Sequence, residues 1–191
     1  MKGMYSYTKE LWRGQGQEEF RALRWQRLIS WRKEPTVHRL DRPTRIDRAR
    51  ALGYKAKQGI FVVRVRVRRG GLRKPRPRMG RQPIRMGVSK ITMKKSLKRI
   101  AEERAAKHYP NMEVLNSYFV AKDGRHKYFE VILADPFALA GDAHYAHLIA
   151  QRGRVYRGLT SEGRKNKGLR GKGKRSVHSR PSVNAGTLRG K

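Results

Sequence analysis

A chain of 191 residues that is 37% hydrophobic supports one modest core and leaves little for a second. It sets 48 Lys and Arg against 14 Asp and Glu, and repulsion at a formal net charge of +34 demands a polyanionic partner. Without cysteine, disulfides, thiolate zinc sites and thiol nucleophiles are excluded, and no apolar run approaches the roughly 18 residues of a membrane span.

No short apolar core of a signal peptide stands near Met1, so a soluble intracellular protein is expected. Residues 17–33 are expected to form the first clear helix. Glu18 and Glu19 stand where a helix dipole favours acids, Arg32 and Lys33 close the other end, and Pro35 stops it. Its apolar residues, among them Trp25, Leu28 and Trp31, spread around more than one face; core packing is the default reading for each tryptophan. In LDRPTRIDRARALGY, Asp41 and Pro43 suit a helix start and Gly53 a left-handed end, with Arg45, Arg48 and Arg50 facing outward.

IFVVRVRVR, residues 60–68, alternates as a strand does. Val63, Val65 and Val67 are placed to anchor one face, while Arg64, Arg66 and Arg68 repeat about every 6.6 to 6.8 Å on the other as an outward ladder, a spacing comparable to successive phosphates. Residues 70–87 mix arginine with Pro75, Pro77, Pro83 and four glycines, which excludes helix and central strand alike. A helix is expected over about Ser89 to His108, with Met93, Leu97, Ile100, Ala101 and Ala105 as its apolar stripe and Lys98 with Glu102 among its i,i+4 pairs. Two β-rich runs flanking Asp123-Gly124 form a hairpin, and a short helix is expected over about Gly141 to Ala150. Beyond it, glycine and basic residues with little apolar material predict a tail that is disordered alone.

The fold class is therefore α+β, an antiparallel sheet of three to four strands packed with helices, plus long basic irregular extensions. The expected division is a core over 1–155, with a basic extended segment at about 69–88, and a Gly-rich tail over 156–191.

Sites for chemistry are few. Glu18-Glu19 and Glu102-Glu103 are adjacent pairs that point about 100° apart on helices, and so do not converge on one substrate. His144 and His147 could meet one metal ion, but only Asp142 stands near as a third ligand. The glycine spacing of residues 163–168 lacks the lysine of a phosphate-binding loop, since Leu169 stands there. Gly168-Leu-Arg-Gly171 spells the GxxG of KH domains without the helices that motif requires. No catalytic, cofactor or metal site is expected, nor a small-molecule substrate.

What remains is charge without counter-charge. From Arg48 through Ala101 there are 19 Lys and Arg and no acid, and from Ala143 onward 13 against Glu162 alone. A solvated face mixes signs, so these stretches point to contact with phosphates, for which Arg has the matching fork. No helix-turn-helix, zinc finger or basic zipper is present, which favours RNA over DNA.

The motifs GYKAKQGIFVVRVRVRRGG, RIAEERA, NSYFVAKDGRHKYFEVILADP and RGLTSEGRKNKGLRGKG, in that order, resemble the archaeal and eukaryotic "fifteen-e" family of large-subunit ribosomal proteins. The resemblance runs from SYTKELW to about Arg175. It implies a non-enzymatic structural constituent of the large ribosomal subunit, cytoplasmic within the ribosome, whose partners are large-subunit ribosomal RNA and neighbouring ribosomal proteins, with no membrane. It also implies a fourth strand near Val37 to Leu40. Its RNA-facing character falls on Lys55, Lys57, Arg64, Arg66, Arg68, Arg69, Arg164, Lys165, Lys167 and Arg170. Charge adds Arg73, Lys74, Arg76, Arg78, Arg81, Arg85, Arg157, Lys172, Lys174 and Arg175. The rival readings are a chromatin-like DNA-binding protein and a metal-dependent nuclease.

Overall fold

The computed structural model describes residues 2–14, 18–84, 87–88 and 92–170. The alternation of residues 60–68 becomes strand β2 (Ile60–Arg68), which pairs with β1 (Val37–Leu40) on one side. The Asp123-Gly124 turn joins β3 (Glu113–Lys122) to β4 (His126–Ala134), closed by an Asp123 N–H bond of 2.8 Å to the His126 carbonyl. All pairings are antiparallel in the order β1-β2-β4-β3, so β4 lies between β2 and β3. A strand covered on both faces needs apolar residues at consecutive positions, and Tyr128 through Ala134 are all buried.

One sheet face carries Val63, Val65, Val67, Val131 and Leu133. Helix α4 (Leu97–His108) packs there through Ala101 and Ala105, both fully buried, whose small side chains let its backbone approach closely. The other face carries Ile60, Val62, Tyr128 and Ile132. It is covered by Leu28 and Trp31 of α2 (Glu18–Lys33), Ala49 of α3 (Ile46–Ala51) and the later residues Leu139, Tyr145 and Leu148. Helix α1 (Met4–Arg13) lies against α3. The result is three layers, with helices on both faces of an antiparallel sheet, and Val37–Leu40 is the fourth strand that the resemblance implied.

Among the described residues, two carboxylates are fully buried. Glu130 accepts the Tyr118 hydroxyl and the Thr44 N–H (3.1 Å), and Glu102 accepts the hydroxyls of Ser117 and Thr160 (2.7 Å for Thr160). Burial raises both carboxyls above their ordinary range, opposed by those same hydrogen bonds.

Several expectations need correction. The helix foreseen from Asp41 starts only at Ile46, and the Thr44 N–H before it bonds the Glu130 carboxylate. Gly53 does end it in the left-handed region, at φ 98°. The helix foreseen from Ser89 starts at Leu97, where the Ser96 hydroxyl caps it by accepting the Arg99 N–H at 3.2 Å. Residues 89–91 lie outside the described residues. The surface pair Lys98–Glu102 does not form: Glu102 points inward, and Lys98 lies 3.6 Å from Glu162. The helix foreseen over 141–150 shrinks to a 3-10 turn at Ala146–Leu148. Before it, the Asp142 carboxylate accepts the His144 N–H at 3.0 Å.

The largest correction concerns the tail. Residues 156–170 of the expected tail are not an irregular extension: α5 (Arg154–Arg157) and α6 (Ser161–Asn166) dock against α4. Val155 is buried beside α4, Thr160 bonds Glu102, and Ser96 bonds both Glu162 (2.7 Å) and Asn166. The core therefore extends past the expected boundary at 155 to at least residue 170. Composition missed this because the docking rests on buried polar contacts and close glycine packing, with few apolar residues.

Candidate nucleic-acid interface

The arginine ladder is the first feature to test against the fold. Arg64, Arg66 and Arg68 do share one face of β2, but α2 crosses that face. Arg64 is only 6% exposed: its guanidinium lies 4.3 Å from the Trp31 ring centroid and is paired with Glu34 at 2.5 Å. The outward orientation expected for Arg64 is therefore overturned. Arg66 is half-buried and donates to the Arg32 carbonyl at 2.7 Å. Arg68, beyond the end of α2, is exposed.

Alternation places side chains on one face without saying whether that face meets solvent. Here the ladder turns from an internal ion pair at Arg64 to a free surface at Arg68 within about 14 Å of strand.

Arg68 and Arg69 have company that their sequence neighbours do not reveal. The sheet register sets Arg68 opposite His126 and Val67 opposite Lys127, while Lys122 faces Lys127 across the hairpin. The Arg69 N–H donates to the Arg125 carbonyl at 2.8 Å, and its guanidinium to the Asp123 carbonyl at 2.7 Å. Lys122, Arg125 and Lys127 were not among the expected contacts. In sequence they are scattered cations around an aspartate; only the fold gathers them at the end of β2. Asp123 does not neutralise them, because Arg32 takes both its oxygens, at 2.7 and 3.0 Å. That pairing holds the Asp123 carboxyl below its ordinary range. Burial, and then the charge of Arg66, lower the basicity of His126, as a site already rich in positive charge requires.

From this end of the sheet leaves the basic segment. Arg73, Lys74, Arg76, Arg78 and Arg81 are all exposed, in a stretch with no helix or strand through residue 84. Arg85 lies outside the described residues.

The remaining expected cations fall into two other groups. Lys55 and Lys57 sit before Ile60, at the opposite end of β2, about 27 Å from Arg68. Lys55 lies 5.5 Å from the Tyr145 ring centroid, and Lys57 pairs with Asp142 at 2.9 Å, which raises the lysine and lowers the aspartate. Arg157, Arg164, Lys165, Lys167 and Arg170 are exposed on and around α5 and α6, on the α4 side of the sheet. Lys172, Lys174 and Arg175 lie outside the described residues.

The acids are largely internal fastenings. Glu34, Asp123, Asp142 and Glu162 tie separate parts of the chain together, and Glu113 accepts the N–H groups of Gly153 and Arg154, at 2.6 and 3.2 Å. Asp142 pairs with Lys57 at 2.9 Å. Among the described residues no group of three or more His, Asp or Glu is placed to hold a metal ion, and no helix is long and apolar enough to cross a membrane.

A family model described as Ribosomal L15 matches residues 3–186 of the chain.

Proposed function

The chain belongs to the Ribosomal L15 family, structural proteins of the large ribosomal subunit, and from that premise we propose that it binds and stabilises large-subunit ribosomal RNA through arginine and lysine contacts to phosphates. The observation that carries the reading is the basic end of the sheet. Arg68 and Arg125 are exposed at the end of the sheet from which the exposed run from Arg73 to Arg81 continues, while the nearby carboxylate is engaged by Arg32. Phosphates supply the counter-charge that the chain itself does not.

The folded part docks as a rigid body, and the extension orders between RNA segments as it binds. Lys55 and Lys57 at the far end of the sheet, with the α5–α6 cations on its flank, give two further contact regions. Spread around the core in this way, the cations suit a protein enclosed by RNA better than one lying on a single duplex groove.

Sedimentation after lysis tests the proposal. Association with the large subunit that survives DNase and falls as salt rises is the expected result. Retention on DNA would instead support the chromatin-like alternative. Metal-dependent cleavage of RNA by the purified chain, lost in His144→Ala, would support the nuclease.

A further inference from the structure

Trp25 stands apart from the other tryptophans. Trp31, six residues later on α2, is 7% exposed and packs on Tyr128 at 5.3 Å, whereas Trp25 is 57% exposed on the same helix. The core default therefore fails for Trp25, and an exposed indole of that size calls for a use.

Its surroundings are built. The Arg32 guanidinium lies over the indole, 5.2 Å from the ring centroid. Both Asp123 oxygens hold that guanidinium, and Asp123 is itself fixed by the Gly124 N–H at 2.6 Å. The Arg32 carbonyl in turn accepts from Arg66. The ring is thus backed by a cation that Asp123 holds in place, while Trp25 keeps 57% of its surface exposed. The hairpin tip that pins Arg32 is also the tip that carries Arg125 beside Arg69.

We propose that Trp25 is a stacking platform for one unpaired base of the RNA, with Arg32 as its backing. Charge identifies the occupant. From Arg21 to Lys33, α2 has five Arg and Lys and no carboxylate, so the helix segment that carries the indole is positively charged. An RNA strand offers that segment a π-face for the indole and phosphates for the cations together. A paired base has its faces covered by neighbours in the stack, so the ligand is a splayed or single-stranded nucleotide. This inference rests on the RNA reading above, and deepens it by adding a base contact to a set of phosphate contacts.

The test uses the full chain and two single-stranded oligoribonucleotides of equal length, one normal and one with abasic sites, which carry the same phosphates. The wild-type protein should bind the normal strand more tightly. Trp25→Leu should lose about tenfold on that strand while keeping its affinity for the abasic strand and its salt slope, and Trp25→Phe should recover part of the loss. Binding should quench the emission of the wild-type protein more than that of Trp25→Leu. A wild-type preference that survives unchanged in Trp25→Leu overturns the proposal. So does normal RNA binding by Trp25→Leu combined with its loss from salt-washed large subunits, which would assign the indole to a protein neighbour. If the wild-type chain binds neither strand in a salt-dependent way, the RNA reading itself fails, and this proposal with it.

Discussion

Arg64 and Arg68 are four residues apart on the same face of one strand, yet they have different physical roles. Arg64 is a buried cation held by Glu34 and the Trp31 face. Removing either partner strands the other charge, so Arg64→Ala or Glu34→Ala should each cost about 2–4 kcal/mol in urea unfolding, and joint apolar replacement less than their sum. The salt slope of RNA binding should not change. Arg68→Ala together with Arg125→Ala should do the reverse, leaving stability intact and shallowing the slope by about 2. Glu102 gives a pH prediction. Its carboxyl is raised in the folded state above the ordinary value of 4.5, so the stability linked to its protonation is complete below that value and is lost as pH rises through the folded one. Glu102→Gln abolishes that loss, and urea midpoints should move in favour of the variant as pH is raised from 4 towards 8.

At the scale of elements, the docking of α6 depends on two glycines. Gly158 ends α5 with φ 71°, and a Cβ on Gly163 would stand 2.7 Å from the Gly158 Cα, a backbone atom that cannot step aside. Gly163→Ala should therefore push α6 away from α5 and break the Thr160 and Glu162 contacts to α4. The expected readout is faster trypsin cleavage at Arg164, Lys165 and Lys167, with cleavage at Arg81 in the extension unchanged. The same region shows where sequence reading was limited. Strand β2 and the β3–β4 hairpin were legible because periodicity and turn chemistry are local, whereas the short β1 was implied only by the family resemblance. Helices α5 and α6 were hidden because their stability comes from Glu102 and Ser96, some 60 to 70 residues away.

For the whole molecule, charge and fold are separable. Residues 70–84 are exposed apart from the partly covered Pro83, and contribute nothing to either core cluster. Replacing residues 72–84 with a short Gly-Ser linker should leave unfolding free energy within about 0.5 kcal/mol of wild type. It should nevertheless weaken retention on salt-washed large subunits. If about ten phosphates are contacted, log K should fall with log salt at a slope between about −7 and −9, and the linker variant should fall less steeply.

The sequence by itself determined the excess of positive charge, three of the sheet's four strands and the position of the basic extension. Net charge, alternation and proline content act locally or additively, and need no coordinates to be read. Only the tertiary structure decided which cations are available. Crossing of β2 by α2 turned Arg64 inward, and pairing of β2 with β4 brought Arg125 and Lys127 to Arg68. Docking on α4 turned an apparent tail into two helices, and Asp123 fixed Arg32 over the Trp25 ring. Each of these depends on what lies across from a residue, and a linear pattern carries no record of that.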